Sequence, residues 1–418
     1  MTTSARLRGL RGIVLAAVLV LAVTATVLLV RDPEYVASPD GADRPVAEPA
    51  EAAAVLRDLQ DAVTARDAES AAALAGGSTT GAGLLRAVVA NAEALDVADF
   101  TLRYVDETSS TSADGVWTAA VDVSWRFSGF DREPVHTEVL VRFDGTGPAA
   151  AVTGFGGGDR RTPLWLTTAL QVRRAGQSLV LVAGSAAEAD RFSAQAAAAV
   201  PAVRAVLPGW RRGLVVEVPE SAESLDAMLA ADPGTYAGIA AVSATVDGTL
   251  TPTSPAHVFV NPDLYRDLGP VGEQVVMTHE ATHIATEAPV TTGMPLWLLE
   301  GFADYVALRD TTLPVDKAAG QVIAQVRAEG LPDALPGPAE FDAGATHLGA
   351  AYEAAWLACL VVSELAGEEA LVQVYDDVRD GKEIGAALRL RVGIDEAELT
   401  SRWQDRLAGL AARTTVAG

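Results

Sequence analysis

The chain has 418 residues, half of them hydrophobic, and a formal net charge of −24 at pH 7. Its length predicts two domains with accessory segments, and the hydrophobic fraction is ample for sizeable cores. The acidic balance argues against nucleic acid as a partner and against peripheral binding to anionic lipid, because no basic patch exists outside the extreme N-terminus.

The N-terminal segment has the pattern of a membrane anchor. Three arginines within residues 1–11 precede residues 12–30, a stretch of nineteen residues without a charge. Such a stretch is long enough to span a bilayer and longer than the hydrophobic region of most cleaved signal peptides, which are the alternative. The positive-inside rule places residues 1–11 in the cytoplasm. We therefore predict a single-pass signal anchor in the cell membrane, followed by a linker at residues 31–49 and extracytoplasmic domains.

Residues 50–158 form the first predicted module, of the α+β class. Two stretches with helical spacing precede three stretches of alternating hydrophobic residues, and they lie at residues 50–74, 83–94, 100–104, 117–127 and 139–143. Alternation with period two is typical of strands with one buried face. Helices followed by antiparallel strands favour a compact fold, similar in order to the nuclear-transport-factor-like cone. Glycine-rich residues 154–158 end the module as a turn, and no catalytic constellation is found within it.

The second domain is predicted over residues 162–418, with a small sheet and a helical C-terminal half. The pattern indicates strands at residues 178–182, 213–218, 238–246 and 257–261, and helices at residues 186–200, 221–230 and, after Tyr305, 315–329, 348–365, 368–378, 384–390 and 396–412. The strand at residues 257–261 is a candidate edge strand against which an extended peptide pairs. Residues 331–344 are predicted as a loop at the rim of a cleft.

His279-Glu280-Ala281-Thr282-His283 is an H-E-x-x-H motif inside an apolar, helix-like run. Histidines at positions i and i+4 lie on one face of a helix about one turn apart, so both imidazoles can bind one metal ion. Glu280 is too close in sequence to join this pair as a ligand. It is predicted to lie beside the metal, where its carboxylate can take a proton from bound water.

A catalytic zinc ion needs a third protein ligand and one open position for water. The metzincin pattern is excluded, because it requires glycine and histidine where this chain has Thr286 and Pro289. A second helix is predicted to start at Pro295, and it carries Glu300 and Asp304 on one face. This spacing suits Glu300 as the third ligand and Asp304 as the acceptor of a hydrogen bond from a ligand imidazole.

The two segments resemble the gluzincin zinc metallopeptidases. They are most similar to the bacterial peptidase-MA-like domains, in which H-E-x-x-H is followed by a P-x-W-x-x-E-G-x-A-x-Y-like helix. The resemblance covers the two motifs with the strand before them and little else. It implies that Zn²⁺ is bound by His279, His283 and Glu300, with Glu280 as the general base on zinc-bound water. It also implies that Asp304 orients a ligand imidazole.

A residue that stabilises the oxyanion is the remaining catalytic role. The candidates are Tyr352 and His347, near the start of a predicted helix. Similar domains carry a tyrosine at the start of such a helix, which favours Tyr352. Packing of an aromatic side chain on the inner face of that helix is the alternative interpretation of Tyr352. His257, in the last predicted strand, is a further metal candidate by residue type only.

The leading hypothesis is a membrane-anchored, extracytoplasmic zinc metallopeptidase that hydrolyses peptide or protein substrates. An endopeptidase is favoured over an aminopeptidase, because no G-x-M-x-N-like element precedes the motif. The alternative is a catalytically silent zinc-containing binding or regulatory module with a peptidase-like fold. A purely structural zinc site is disfavoured, because such sites close the fourth position with Cys or His.

Overall fold

The computed structural model describes residues 48–109, 112, 114–342 and 345–413. Over these residues the chain is a mixed α+β protein with two small sheets and many helices. The predicted cytoplasmic segment, the predicted membrane anchor and nearly all of the predicted linker lie outside the described residues.

Three helices begin the described chain: α1 (Pro49–Thr64), α2 (Ala68–Ala73) and α3 (Thr79–Ala94). The single helical stretch predicted over residues 50–74 is wrong, because Arg66 has a left-handed φ of 59° between α1 and α2. Asp67 then caps α2, its side chain accepting a hydrogen bond from the Ser70 N–H. Ser78 caps α3 in the same way and starts it earlier than the predicted residue 83.

The first sheet is antiparallel, with the order β1-β2-β3-β4. Its strands are β1 (Val97–Ser109), β2 (Val116–Phe127), β3 (Val135–Asp144) and β4 (Ala151–Phe155). The three predicted strand segments lie inside β1, β2 and β3. The sequence does not predict β4, because five residues that include Gly154 are too few to display a clear alternation. Gly154 therefore belongs to β4, where it pairs with Arg142, and not to the predicted turn.

The second sheet has five strands in the order β5-β6-β7-β9-β8. They are β5 (Gln171–Ala175), β6 (Ser178–Val182), β7 (Leu214–Val218), β8 (Ala241–Thr245) and β9 (Ala256–Val260). All four predicted strands are present, and β5 is additional. The prediction that residues 257–261 form the edge strand is wrong. β9 lies between β7 and β8, which explains why residues 257–260 are buried, and β8 forms the edge.

Both faces of the second sheet are covered. Val180, Val216 and Val258 point to one side and belong to a core that they share with the helices of the C-terminal half. Leu179 and Phe259 alternate with them and belong to a second core, which also contains the inner side of the first sheet. The nearly continuous apolar strands are thus explained, since a strand buried on both faces needs no polar side.

The remaining helices surround the first of these two cores, except α5 in the following list, whose Leu225 and Met228 belong to the second. They are α4 (Ala186–Val206), α5 (Ala222–Met228), α6 (Pro262–Tyr265), α7 (Gly269–Ala285), α8 (Leu296–Leu308), α9 (Val315–Ala318), α10 (Gly320–Glu329), α11 (Leu348–Ala366), α12 (Glu368–Arg379), α13 (Ile384–Arg391) and α14 (Glu396–Arg413). The helix predicted over residues 315–329 is divided, because Ala319 leaves helical geometry with φ −103° and ψ 28°. Within the described part of the chain, α11 has the length and composition of a membrane span, but 56% of its apolar window is buried in the molecule.

Candidate metal centre

Helices α7 and α8 carry the motif residues. The H-E-x-x-H residues occupy the C-terminal half of α7, where they are buried from Met277 to Ile284. Pro295 stands immediately before α8 as its cap, and its carbonyl accepts hydrogen bonds from the N–H groups of Leu298 and Leu299. The sequence predicts Pro295 as the first helical residue, so the observed start differs by one position.

Gly301 fixes how α8 lies against α11. A Cβ atom added at this position would stand 2.3 Å from the carbonyl oxygen of Ala355 and 3.1 Å from Sγ of Cys359. Only a residue without a side chain permits this approach, since the oxygen belongs to the backbone and cannot move aside cheaply. The neighbouring Glu300 is therefore held at a defined position relative to α11.

Three ligand atoms converge between α7 and α8. Nε2 of His279 and Nε2 of His283 are 3.0 Å apart, and Oε2 of Glu300 lies 3.2 Å and 3.3 Å from them. Zinc binds such atoms at about 2.0–2.2 Å, and two ligands of a tetrahedral ion are then roughly 3.3 Å apart. The three residues thus fit one zinc ion, and they form the group within the described residues that meets the geometric requirements of a metal site.

The chemistry of the three side chains also fits a catalytic site. Two imidazoles and one carboxylate leave a fourth position of a tetrahedral ion to water or substrate. Burial by itself would raise the pKa of Glu300, but His283 and His279 outweigh it and hold that pKa well below its usual range. The carboxylate is consequently ionised and available as a ligand.

Asp304 lies one turn after Glu300 on α8. Its Oδ1 atom is 2.7 Å from Nδ1 of His279, which leaves the Nε2 atom of that ring facing the other two ligands. Burial would lower the pKa of His279, but Asp304 and Glu300 raise it well above its usual value. His283 differs, because its Nδ1 atom is buried without a hydrogen-bond partner among the described residues.

Glu280 is not one of the three residues whose ligand atoms converge. Its Oε2 atom accepts a hydrogen bond of 2.7 Å from the hydroxyl of Ser243, on edge strand β8. Only 6% of Glu280 is exposed, so its carboxylate is enclosed close to the ligands without joining them. The sequence does not identify Ser243, since it lies 37 positions before Glu280 and in no motif.

Tyr352 and His347 have different surroundings. The ring of Tyr352 lies 5.9 Å from that of His279 and 5.2 Å from that of Phe341, which belongs to the predicted rim loop. Burial, with the nearby Glu300 and Glu280, raises the pKa of Tyr352 well above its usual value, so its hydroxyl keeps the proton. His347 is instead half-exposed and pairs with Glu329 at 3.2 Å.

His257 is buried elsewhere and does not join the three ligands. Its Nδ1 atom lies 2.7 Å from Glu217 on β7, and its Nε2 atom lies 3.1 Å from Asp131 in the loop between β2 and β3. The ring stacks on that of Phe127. Burial would lower the pKa of His257, but Asp131 and Glu217 together raise it to about 9.

No family model, curated protein or solved structure matches this chain. The function is therefore inferred from the site itself. Three ligand atoms spaced for one metal ion lie beside a buried carboxylate that is not a ligand and beside a protonated phenol. Such a group of side chains can hold a Lewis acid, move a proton and donate a hydrogen bond within a small volume.

Proposed function

We propose that the chain is a membrane-anchored, extracytoplasmic zinc metallopeptidase of the gluzincin type. The observation that supports this most is the spacing of 3.0–3.3 Å among the ligand atoms of His279, His283 and Glu300, with Glu280 held apart from them. In this proposal residues 162–418 form a gluzincin-like domain, and residues 50–158 form a nuclear-transport-factor-like module. The anchor is the predicted span at residues 12–30.

The reaction follows from the positions of the side chains. Zinc, when bound, supplies Lewis-acid polarisation of water and of the scissile carbonyl. Glu280 takes the proton of the attacking water and returns it to the leaving amine. Tyr352 donates a hydrogen bond to the oxygen on which negative charge develops. Asp304 accepts a hydrogen bond from Nδ1–H of His279 and so keeps the Nε2 lone pair of that ring available as a ligand.

The substrate is proposed to be an extended peptide bound along β8. This strand forms one edge of the second sheet, and its three central residues are only partly buried. A sheet edge offers unpaired backbone groups to an added strand. Ser243 connects this edge to Glu280, so a peptide beside β8 passes the proposed base. The absence of a G-x-M-x-N-like element before the motif favours an endopeptidase.

The alternative is a catalytically silent binding or regulatory module with a peptidase-like fold. The observation that favours it is the burial of the site: His279, Glu280 and His283 are each less than 9% exposed. Such burial limits the access of a peptide to these atoms. The presence of a complete ligand set together with Glu280 favours the enzyme.

The change Glu280→Gln tests the proposed enzyme. Glutamine keeps the size of the side chain but does not act as a base at neutral pH, so hydrolysis of a mixed peptide library falls by about 10²–10⁴-fold. Zinc content and the unfolding transition stay at the parental values. Glu329→Gln is the matched control, because Glu329 is exposed and pairs with His347 outside the site.

Hydrolysis by Glu280→Gln at the parental rate would overturn the role of this residue. If neither protein hydrolyses any peptide, while both bind zinc and peptide, the silent module replaces the enzyme. Zinc analysis and peptide binding are measured on the same preparations, so the two outcomes are separable.

A further inference from the structure

Resting on the proposed function, we propose that Ser243 is a positioning residue that holds the Glu280 carboxylate beside the metal and off it. Ser243 is the central residue of β8. Its hydroxyl lies 2.7 Å from Oε2 of Glu280 and 3.1 Å from the carbonyl oxygen of the same residue. It thus contacts both the carboxylate and the backbone carbonyl of Glu280.

The backbone of Ser243 is well fixed. In the antiparallel pair β8–β9 it stands opposite Val258, a fully buried residue of the core shared with the helices of the C-terminal half. β9 in turn pairs with β7, so the edge strand is tied to the interior of the sheet. Because α7 packs on β8, the hydroxyl and the carboxylate meet without a flexible loop on either side.

A carboxylate so close to a zinc site is a potential ligand. Zinc accepts Glu oxygen atoms, and Glu280 as a fourth ligand would fill the position that water needs. Among the described residues, the Ser243 hydroxyl is the hydrogen-bond donor found for this carboxylate. A hydroxyl can donate to a carboxylate and accept from a carboxylic acid, so it holds Glu280 before and after proton transfer.

The first test is an unfolding cycle on the zinc-free protein, which does not depend on activity. The variants are Ser243→Ala, Glu280→Ala and their combination, and the readout is the urea midpoint. Contacting residues behave non-additively, so the double variant shifts the midpoint by less than the sum of the single shifts. Ser178→Ala is the matched control, because Ser178 lies on β6 and donates to the carbonyl of Ala175. In the double variant of Ser178→Ala and Glu280→Ala, the shift in the urea midpoint equals the sum of the two single shifts.

The second test separates kcat from KM in the zinc-loaded protein. Ser243→Ala lowers kcat by about 10–100-fold, the equivalent of one hydrogen bond to a charged group, with KM unchanged within about twofold. Ser243→Thr restores the hydroxyl and most of kcat. In the Glu280→Gln background Ser243→Ala has no further effect. Chelator competition gives a zinc affinity for Ser243→Ala that equals or exceeds the parental one.

Additive midpoint shifts for Ser243 and Glu280 overturn the proposal. So does a loss of zinc in Ser243→Ala, because that result assigns the residue to the stability of the metal site. If the parental protein hydrolyses no peptide, the proposed function fails, and the unfolding cycle still decides whether Ser243 holds Glu280.

Discussion

Two buried clusters of histidine and carboxylate side chains lie on opposite faces of the second sheet. In one cluster the side-chain atoms converge on a common point, and in the other the carboxylates surround a histidine. In the metal cluster, His279, His283 and Glu300 direct one atom each toward a common point. In the other cluster, Asp131 and Glu217 approach His257 from its two ring nitrogens. Residue types are nearly the same in both clusters, so the difference lies in geometry. The converging atoms fit a bound metal ion, whereas in the other cluster the imidazole between two carboxylates is itself the expected cation.

The cluster of Asp131, Glu217 and His257 joins distant parts of the chain. Asp131 lies in the loop between β2 and β3 and also accepts a hydrogen bond of 2.8 Å from the N–H of Phe127. Glu217 and His257 belong to neighbouring strands of the second sheet. Carboxylates at both ring nitrogens require two N–H donors, which only the protonated imidazole offers. We therefore expect His257 to be a cation at neutral pH, in accord with its pKa of about 9.

Removing one convergent ligand should have the largest effect. Glu300→Ala leaves two imidazoles, which hold zinc far more weakly than three ligands, so dialysed protein loses most of its metal. Elemental analysis measures the zinc bound per chain. Glu329→Ala is the control, because Glu329 is exposed and forms an ion pair with His347. Full occupancy in Glu300→Ala would place the third ligand elsewhere.

Replacing His257 should lower the free energy of unfolding and leave the zinc content unchanged. His257→Gln leaves Asp131 and Glu217 buried without a positive partner, and breaking such a pair costs about 3–5 kcal/mol of unfolding free energy. Urea denaturation measures this loss, with the exposed His136→Gln as the control. A variant that keeps its stability but releases zinc would contradict the division of roles between the clusters.

The pH dependence of unfolding sharpens the same comparison. Because the folded state raises the pKa of His257 from 6.5 to about 9, its contribution is complete below about pH 6.5. That contribution is lost as the pH rises through about 9. The parental protein should therefore lose part of its unfolding free energy on the alkaline side, and His257→Gln should lack this component.

Weakening the contact between Asp304 and His279 should have a smaller effect on zinc binding than removing Glu300. Asp304→Asn keeps the size of the side chain but weakens its hold on Nδ1 of His279. Loss of such a partner typically lowers metal affinity by 10–100-fold, which chelator competition can measure. Asp310→Asn, an exposed position just after α8, is the control. An unchanged affinity would mean that the packing of the ring alone orients His279.

The sequence predicts the metal cluster far better than its surroundings. His279 and His283 are one turn apart on a single helix, and Glu300 with Asp304 repeats that spacing on the next helix, so local periodicity is sufficient. The contact from Ser243 to Glu280 depends instead on strand order. β8 occupies the edge although β9 is closer to α7 in sequence, and no local pattern specifies that order.

The His257 cluster illustrates the same limit. Asp131 and His257 are 126 positions apart, and each looks like an isolated polar residue in the sequence. The helix breaks at Arg66 and Ala319 are not predicted from the sequence for a different reason. Alanine-rich segments continue the helical pattern on both sides of them, and single residues decide where the chain turns. Long helices such as α11 were predicted well because their apolar faces are long and regular.

Because both faces of the second sheet are buried, folding of the chain depends on the order in which its segments are synthesised. Trp125 and Phe127 belong to β2, and their core also includes Leu179 and Phe259 from strands that a ribosome makes later. During synthesis, the first sheet therefore exposes an apolar face until these later strands are made. A fragment that starts at residue 162 has the complementary problem, because it exposes the other half of that face and is prone to aggregate. Neither half should be soluble when expressed alone. Co-expression of the two halves as separate chains should restore the solubility of both.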